Sequence, residues 1–448
     1  MRVAPARHAA LKVLGRVRRD AAFAGAALAA ELSRGTLDPQ DSALATRLVY
    51  GVLATSGVLD GAIARYARTA PEPRVADALR LAAYEILFGR APAYAVVDQA
   101  VASVRAIRPQ AAGMANAVLR RLADDAPAFP WGDPAQDRDA LGRASATPRW
   151  IVDLTLDALG EVAGREALAA GLEPSPSYVR LDPFARDRAE TLADLESAGP
   201  SQSPPDLDCF RLAEPAHLYS RGTDAVGWFA MDAAAQMAPA LCDAGPGATV
   251  LDIGAGRGNK TVCLQAAALR SGGPADITAV DLHEHKVRQL RERLDSSGVP
   301  GVTVRAADAL EMPPALAESM FDIVLLDAPC TGLGTIRRYP EKRWRLEPGD
   351  VERLAALQDA LIAAAAERVG SGGMLVYSTC SLAPRENGEV VRRFLAGPRG
   401  AEFTLEPVAE RVPAEWRMFI DGDGCFQSWP TVGGPDGHYV ATVRRAAI

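Results

Sequence analysis

The sequence holds six cysteines in 448 residues, and no two of them form a Cys-x-x-Cys pair. That absence removes the zinc-ribbon and thioredoxin readings, and no metal is expected. Reduced thiols in a cytoplasm follow as the expectation. No apolar run reaches the roughly 18 residues of a membrane span, so no membrane partner is expected. Met1-Arg2-Val3-Ala4-Pro5-Ala6-Arg7 has no apolar h-region and no cleavage site, so secretion is not expected either. An excess of cations is also missing. The net charge is −7, which argues against a general affinity for nucleic acid, although binding depends on local patches rather than on the average. What remains is 48% hydrophobic and 23% charged, the balance of an ordinary soluble chain, at a length that suits roughly three domains.

Arg2 to Arg19 carries six basic residues and no acid. As a helix it would place His8, Lys12, Arg16 and Arg19 on one face and Ala10, Leu14 and Val17 on another. Such a face is either solvated or a phosphate contact. Helical spacing continues to about Leu122, through stripes such as Leu44, Leu48, Val52 and Val96, Val97, Ala100, Val104. An all-helical domain over residues 1–125 is expected. Residues 126–145 are rich in Pro, Asp, Ala and Gly and read as a linker. Residues 146–225 read as a small α+β subdomain: a helix from Arg149, a strand at Tyr178–Leu181, a helix at Asp187–Ala198, and a turn-rich break at Gly199–Pro205. From 226 to 448 strand and helix alternate. Strands are expected at Thr249–Ile253, Asp276–Val280, Val302–Ala306, Phe321–Leu326 and Met374–Tyr377, which is a doubly wound α/β pattern. Cys425–Val443 should add an antiparallel edge.

Between the first of these strands and the next helix runs Gly254-Ala255-Gly256-Arg257-Gly258-Asn259-Lys260. Glycines there permit close backbone approach and positive φ, and the helix N-terminus offers N–H groups to an anion. The spacing is not the Gly-x-Gly-x-x-Gly of dinucleotide sites. Acids close the next strands, Asp281 and Asp308. The first could hold ribose hydroxyls and the second could face an adenine edge, a pattern that favours S-adenosylmethionine over NAD. Considered alone, Asp281 is a helix N-cap and Asp308 a turn residue.

Two short apolar runs end in Asp327-Ala328-Pro329-Cys330 and Ser378-Thr379-Cys380-Ser381, with a helical pattern between them. A strand–helix–strand crossover puts both cysteines past the carboxyl ends of parallel strands, the edge where such sheets bind ligands. A pyrimidine C5, in cytosine or uracil, becomes nucleophilic when a thiolate adds to C6. The reaction needs a cysteine nucleophile, a group to hold the base and a base to take the C5 proton. Cys330, Cys380 and Asp327 supply those types. Cys209, Cys242, Cys263 and Cys425 have no such context and read as small buried apolar residues. Arg337 to Arg345 sets five cations among Tyr339 and Trp344, which suits a single-stranded nucleic acid or a charged surface loop.

These stretches are similar to the RsmB/Sun family of bacterial small-subunit ribosomal RNA cytosine-5 methyltransferases. Asp327 to Gly334, Arg337-Arg338, and Ser378 to Leu382 continuing through Pro384, Glu386 and Asn387 resemble its two cysteine motifs. Leu79 to Glu85 and Asn116 to Arg120 resemble a NusB-like RNA-binding domain. Gly227 to Gln236 resembles the segment that precedes the family's cofactor domain. The resemblance implies an α + α/β multidomain chain: an all-helical NusB-like domain, a small α+β (RRM-like) subdomain, and a Rossmann-like S-adenosylmethionine-dependent methyltransferase domain. It implies Cys380 as the nucleophile on C6, Cys330 as the aid to release, and Asp327 as the base-binding residue. Gly254 to Lys260, Asp281, Asp308 and Asp327 would line the cofactor. The glycine loop departs from the Cys-Ala-Ala-Pro-Gly-Gly-Lys-like run usual in the family, and Arg257 gives it a long side chain where the family has none. Its glycines keep the backbone permissive, so binding is expected.

The expected activity is therefore methyl transfer to C5 of an unpaired or flipped cytosine in small-subunit rRNA, by a cytoplasmic monomer. The competing readings are a transfer RNA substrate, an RNA-binding or assembly factor with a vestigial cofactor fold, and a nicotinamide-dependent oxidoreductase.

Overall fold

The computed structural model describes residues 3–447 except 21, 185–186, 198–200, 203–207 and 213–226. It divides into two compact units. Unit one comprises Met1–Pro174 with Ile336–Leu346, and unit two comprises Ser175–Thr335 with Glu347–Ile448.

Unit one is helical: α1 Pro5–Arg19, α2 Ala24–Leu32, α3 Pro39–Ala64, α4 Pro73–Leu87, α5 Ala93–Ile107, α6 Ala112–Asp125, α7 Arg138–Ala144 and α8 Arg149–Ala170. Proline in the first turn starts α1, α3 and α4, and the Asp38 carboxylate caps α3 by accepting from the Asp41 N–H. Missing N–H groups cost nothing at those positions. The apolar stripes meet in one core, including Val13, Leu48, Leu79, Val104 and Leu119. Among the described residues α3 alone has the length and apolarity to cross a membrane, and its Leu48, Val49, Val52 and Leu59 are buried in that core.

The expected linker at residues 126–145 is folded instead. Helix α7 buries Ala140 and Leu141, and Leu141 packs with Val152, Leu156 and Leu168 of α8. The stretch reads as loose because its helix is only two turns long, too short to show a period. The helical unit thus runs to Pro174, and only the later part of 146–225 forms a sheet.

A second difference concerns the basic stretch after Cys330. Ile336–Leu346 belongs to the helical unit. Arg343 is 1% exposed and donates to the carbonyls of Ser145, Ala146 and Gly171, at 3.2, 3.0 and 2.6 Å. Those carbonyls lie just past the ends of α7 and α8, where the helix dipole favours a cation. Burial alone pulls the Arg343 guanidinium down to about 10. The Trp344 indole donates to Ala54 of α3 at 2.8 Å and lies over Gly57, where a Cβ would collide with it. Arg337 is buried as well. Arg343 and Trp344 are therefore tied into the helical unit; Lys342 over the exposed Tyr339 ring keeps the surface character expected of the stretch. On the expected basic face of α1, Lys12 pairs with Glu31, and off that face Arg7 pairs with Glu85 and Arg18 with Asp77.

Among its described residues, unit two contains two sheets. The smaller has order β2-β3-β1-β4, formed by β1 Ser177–Leu181, β2 Ser201–Gln202, β3 Cys209–Leu212 and β4 Trp228–Ala230, all antiparallel. Helix α9, Arg188–Ser197, contributes Leu195 to its core with Val179, Phe210 and Trp228. Of the turn-rich break expected at Gly199–Pro205, Gly199, Pro200, Pro204 and Pro205 lie outside the described residues, and Ser201–Gln202 is a short strand. The larger sheet follows α10 Met237–Leu241. Its strands and helices are β5 Thr249–Ile253, α11 Asn259–Arg270, β6 Asp276–Asp281, α12 Glu284–Ser297, β7 Val302–Ala306, α13 Pro314–Ala317, β8 Phe321–Asp327, α14 Pro348–Ala366, β9 Val369–Thr379, α15 Gly388–Ala396, β10 Phe403–Glu406, β11 Phe426–Gln427 and β12 Tyr439–Arg445.

The order is β10-β12-β9-β8-β5-β6-β7, with β11 beside β12. Strands β5 to β9 pair in parallel, and β12 pairs antiparallel to β9 as the terminal segment was expected to do, but β10 lies outside it and forms the edge. The chain leaves β5 toward β6 on one side and returns at β8 on the other. That reversal makes the β5/β8 edge the topological switch point, where ligands bind in open α/β sheets.

Replacing Arg343 with Ala removes the donor from three buried carbonyls. The full chain is expected to lose about 2–3 kcal/mol in the helical unit, read as an earlier urea transition. An unchanged transition would show that those carbonyls find other donors.

Candidate active site

Register decides which residues meet at the switch point. Strand β5 pairs with β8 so that Ile253 lies opposite Leu326. Gly254 is therefore carried against the end of β8. Its φ is +81°, and a Cβ there would sit 2.5 Å from the Asp327 carbonyl oxygen. Gly256 and Gly258 also have positive φ, +59° and +82°. A Cβ on Gly258 would collide with Leu290, whereas one on Gly256 would find nothing nearer than 3.8 Å. The loop is thus closed on two sides and open above Gly256, which is a cradle for a ligand. Helix α11 begins at Asn259 with no side chain capping it, so its first N–H groups are available to an anion. Ala255 is buried under the loop and Arg257 is exposed.

Asp281 closes β6 and is 7% exposed. One carboxylate oxygen accepts from the Gly256 N–H at 3.0 Å and the other from the His283 N–H at 2.9 Å. It braces the glycine loop and closes the turn that leads into α12, whose N-cap is His283. Asp308 lies beyond β7, exposed, and accepts from the Leu310 N–H at 2.9 Å, so it closes its own turn. Two large apolar side chains stand exposed beside these acids, Leu282 at 62% and Leu310 at 44%. They were not singled out from the sequence, where a leucine after a strand carries no signal of its own. Asn259 and Arg293 lock the back of the loop, with Nη1 of Arg293 donating to the Asn259 side-chain oxygen at 2.5 Å and its guanidinium over the Phe229 ring.

Lys260 reaches from the first turn of α11 to Asp327 at 2.6 Å. Burial pulls the Lys260 ammonium down, but the charge and hydrogen bond of Asp327 outweigh it, and the net shift is upward. Beneath this pair, Asp252 is wholly buried and accepts from the Thr261 hydroxyl at 2.6 Å. Burial pushes its carboxyl up to about 6, against the pull of that hydrogen bond.

Strands β8 and β9 pair in parallel with Asp327 opposite Ser378, and the Ala328 N–H donates to the Ser378 carbonyl at 2.9 Å. Each chain then runs two or three residues further to a cysteine. The Cys330 and Cys380 sulfurs are 3.3 Å apart, and the Cys380 N–H also donates to the Cys330 sulfur at 3.3 Å. Both residues are partly exposed, whereas Cys209, Cys242, Cys263 and Cys425 are buried, as expected for apolar filler. The hydrogen bond with Cys380 first, and burial second, push the Cys330 thiol well above its ordinary value.

Behind the sulfurs lies a polar cluster that was legible only as part of a motif. Glu386 is 0% exposed. One of its oxygens accepts from the Thr331 N–H at 2.9 Å and from the Gln358 amide at 3.1 Å. Its other oxygen accepts from the hydroxyls of Thr331 and Ser381. Gln358 of α14 also donates to the Pro329 carbonyl at 2.8 Å. The Tyr377 hydroxyl donates to the Glu386 carbonyl at 2.6 Å, and Asn387 bridges Thr379 and the Ser381 carbonyl.

Comparison with known proteins gives one family for most of this chain. Residues 240–444 match the model of 16S rRNA methyltransferase RsmB/F, and residues 4–124 match that of the NusB family. The chain is 31% identical to ribosomal RNA small subunit methyltransferase B of Pseudomonas putida over 449 residues, 98% of each chain. It is 29% identical to the probable ribosomal RNA small subunit methyltransferase B of Bacillus subtilis, over 99% of this chain and 100% of that one. A putative methyltransferase of Mycobacterium tuberculosis is 33% identical, over 98% and 96%. In fold the chain is similar to the crystal structure of PH0851, with a TM-score of 0.80 and 22% identity over 99% of this chain and all of the other. It is also similar to a methyltransferase homolog protein from Pyrococcus horikoshii, with a TM-score of 0.55 and 25% identity over 68% and 97%.

Gly254→Ala would force a side chain against the Asp327 carbonyl at an unfavourable φ, a strain of about 1–3 kcal/mol. The loop is expected to shift, weakening S-adenosylmethionine binding by about tenfold or more, since about 1.4 kcal/mol is tenfold. Calorimetric titration reads this directly, and an unchanged Kd would contradict the role given to the loop.

Proposed function

The chain belongs to the RsmB/F family of 16S rRNA methyltransferases, S-adenosylmethionine-dependent enzymes, and from that premise we propose that it methylates C5 of a cytosine through a covalent bond between Cys380 and C6. The observation that carries this reading is the 3.3 Å separation of two sulfurs at one strand edge, beside Asp327 and the glycine loop.

Cytosine C5 is a weak nucleophile. In the proposed reaction the Cys380 thiolate adds to C6, and the electron pair of the C5–C6 double bond moves to C5. When bound, S-adenosylmethionine supplies the sulfonium methyl group that C5 takes up. Gly254 to Gly258 would pass its backbone, Asn259 and Lys260 would present the helix N-terminus to its carboxylate, and Asp281 and Asp308, with Leu282 and Leu310, would receive its nucleoside part. Asp327 binds the pyrimidine, and Lys260 at 2.6 Å orients that carboxylate.

Cys330 starts as a thiol, held so first by its hydrogen bond with Cys380, then by burial and by the repulsion of a second negative sulfur. Once Cys380 has become a thioether, the two restraints that come from Cys380 are eased. Cys330 can then lose its proton and serve the release step. The C5 proton passes to the Cys330 thiolate, the C5–C6 double bond re-forms, and the Cys380–C6 bond breaks with its electron pair returning to Cys380. The target cytosine must be unpaired or flipped out, since C6 is closed off within a stacked helix. One polypeptide carries all of these groups, so a monomer is the proposed active form.

Cys380→Ala is expected to abolish methyl transfer to 16S rRNA and leave S-adenosylmethionine binding intact; retained turnover would contradict the nucleophile assignment. Cys330→Ala should accumulate a covalent RNA–protein species on denaturing gels. If no such band forms while methylation continues at the wild-type rate, Cys330 has no part in release.

A further inference from the structure

Glu386 is a buried carboxylate that the reaction above leaves without a role. It sits on the turn between β9 and α15 and is wholly enclosed. Burying a carboxylate is costly unless its oxygens are satisfied. Here four donors converge on two oxygens: the Thr331 N–H, the Gln358 amide, and the hydroxyls of Thr331 and Ser381. Thr331 follows Cys330, and Ser381 follows Cys380. The same carboxylate therefore grips the residue next to each sulfur. Gln358 adds a third hold, from Glu386 to the Pro329 carbonyl on the other side of Cys330.

Strand pairing alone does not set the sulfur spacing. The parallel ladder ends at Asp327 and Ser378, and both cysteines lie beyond it. Past that point two backbone bonds connect the segments, from Ala328 to Ser378 and from Gly334 to Cys380 at 2.9 Å. Neither fixes Thr331 against Ser381; their hydroxyls, 3.2 Å apart, are held by Glu386.

We propose that Glu386 is a positioning residue that splices the two cysteine segments and holds their sulfurs at working distance. This rests on the covalent mechanism only for its consequence in catalysis; the splice itself is a statement about two thiols. A hydroxyl pair could still accept from an amide, so Gln at this position keeps part of the splice, whereas Ala leaves four buried donors facing a void.

The test measures the spacing without RNA. In a glutathione redox buffer, oxidised glutathione exchanges with the two thiols, leaves as reduced glutathione and closes a Cys330–Cys380 disulfide. A disulfide forms at about 2 Å, so the 3.3 Å approach makes closure fast in the wild-type chain. Glu386→Ala is expected to slow closure, counted by mass spectrometry of the linked peptides, by about tenfold or more, and Glu386→Gln less. Single-turnover methyl transfer at saturating S-adenosylmethionine and RNA should fall in the same order, also by about tenfold or more for Ala, the scale of a small misplacement of reacting groups. The Kd for S-adenosylmethionine should stay unchanged.

Unchanged closure in a folded Glu386→Ala variant would overturn the proposal. If that variant does not fold, Thr331→Val and Ser381→Ala each remove one hydroxyl and decide the matter by the same two rates. Slowed closure in a protein whose wild type transfers no methyl to rRNA would leave the splice standing and reject the function instead.

Discussion

Parallel pairing of β8 with β9 is the constraint on which this molecule depends. It sets Asp327 against Ser378, and from that register two separate chain segments emerge side by side. A slip of one residue would turn every side chain beyond it to the other face, and the sulfurs would part. The apolar runs that fix the register, Ile323 to Leu326 and Met374 to Tyr377, are buried. Hydrophobic burial thereby determines the placement of groups that are themselves partly exposed. The same logic holds on the other side of β8, where pairing with β5 brings the glycine loop to Asp327.

The catalytic sheet was readable from the sequence because its strands are short, apolar and spaced by helices. Thr249–Ile253 and Val302–Ala306 emerged with the expected bounds, and β9 extends beyond the expected Met374–Tyr377 at both ends, to Val369 and Thr379. The cysteine pair was readable for a similar reason, since strand-end placement follows from topology. Glu386 was not, because nothing in a linear sequence distinguishes a glutamate that is enclosed from one that is solvated. Asp281 shows a further ambiguity. Its residue type and position fit both a helix cap and a ligand contact, and the structure has it bracing the loop and closing the turn before α12, whose N-cap is His283.

The stretch from Arg337 to Arg345 marks the opposite failure. Cations interleaved with aromatics look like an RNA contact, yet Arg343 and Trp344 face backbone carbonyls of the helical unit. Sequence composition cannot separate a cation that meets phosphate from one that meets a helix C-terminus, since both are attracted by the same kind of negative potential. The consequence is a chain that leaves the catalytic edge six residues after Cys330 and folds as part of the helical unit before returning at Glu347. Residues 126–145 read as a linker for a simpler reason, which is that a two-turn helix shows no period.

The central claim is that Cys380 bonds to C6 of a cytosine in small-subunit rRNA. Incubation of the full chain with S-adenosylmethionine and 16S rRNA carrying 5-fluorocytosine tests it most directly, because fluorine at C5 cannot leave as a proton and the adduct stays closed. Peptide mass spectrometry should find the methylated nucleotide on Cys380. A nucleotide on Cys330, or none on either cysteine while unmodified rRNA is methylated, would contradict the account.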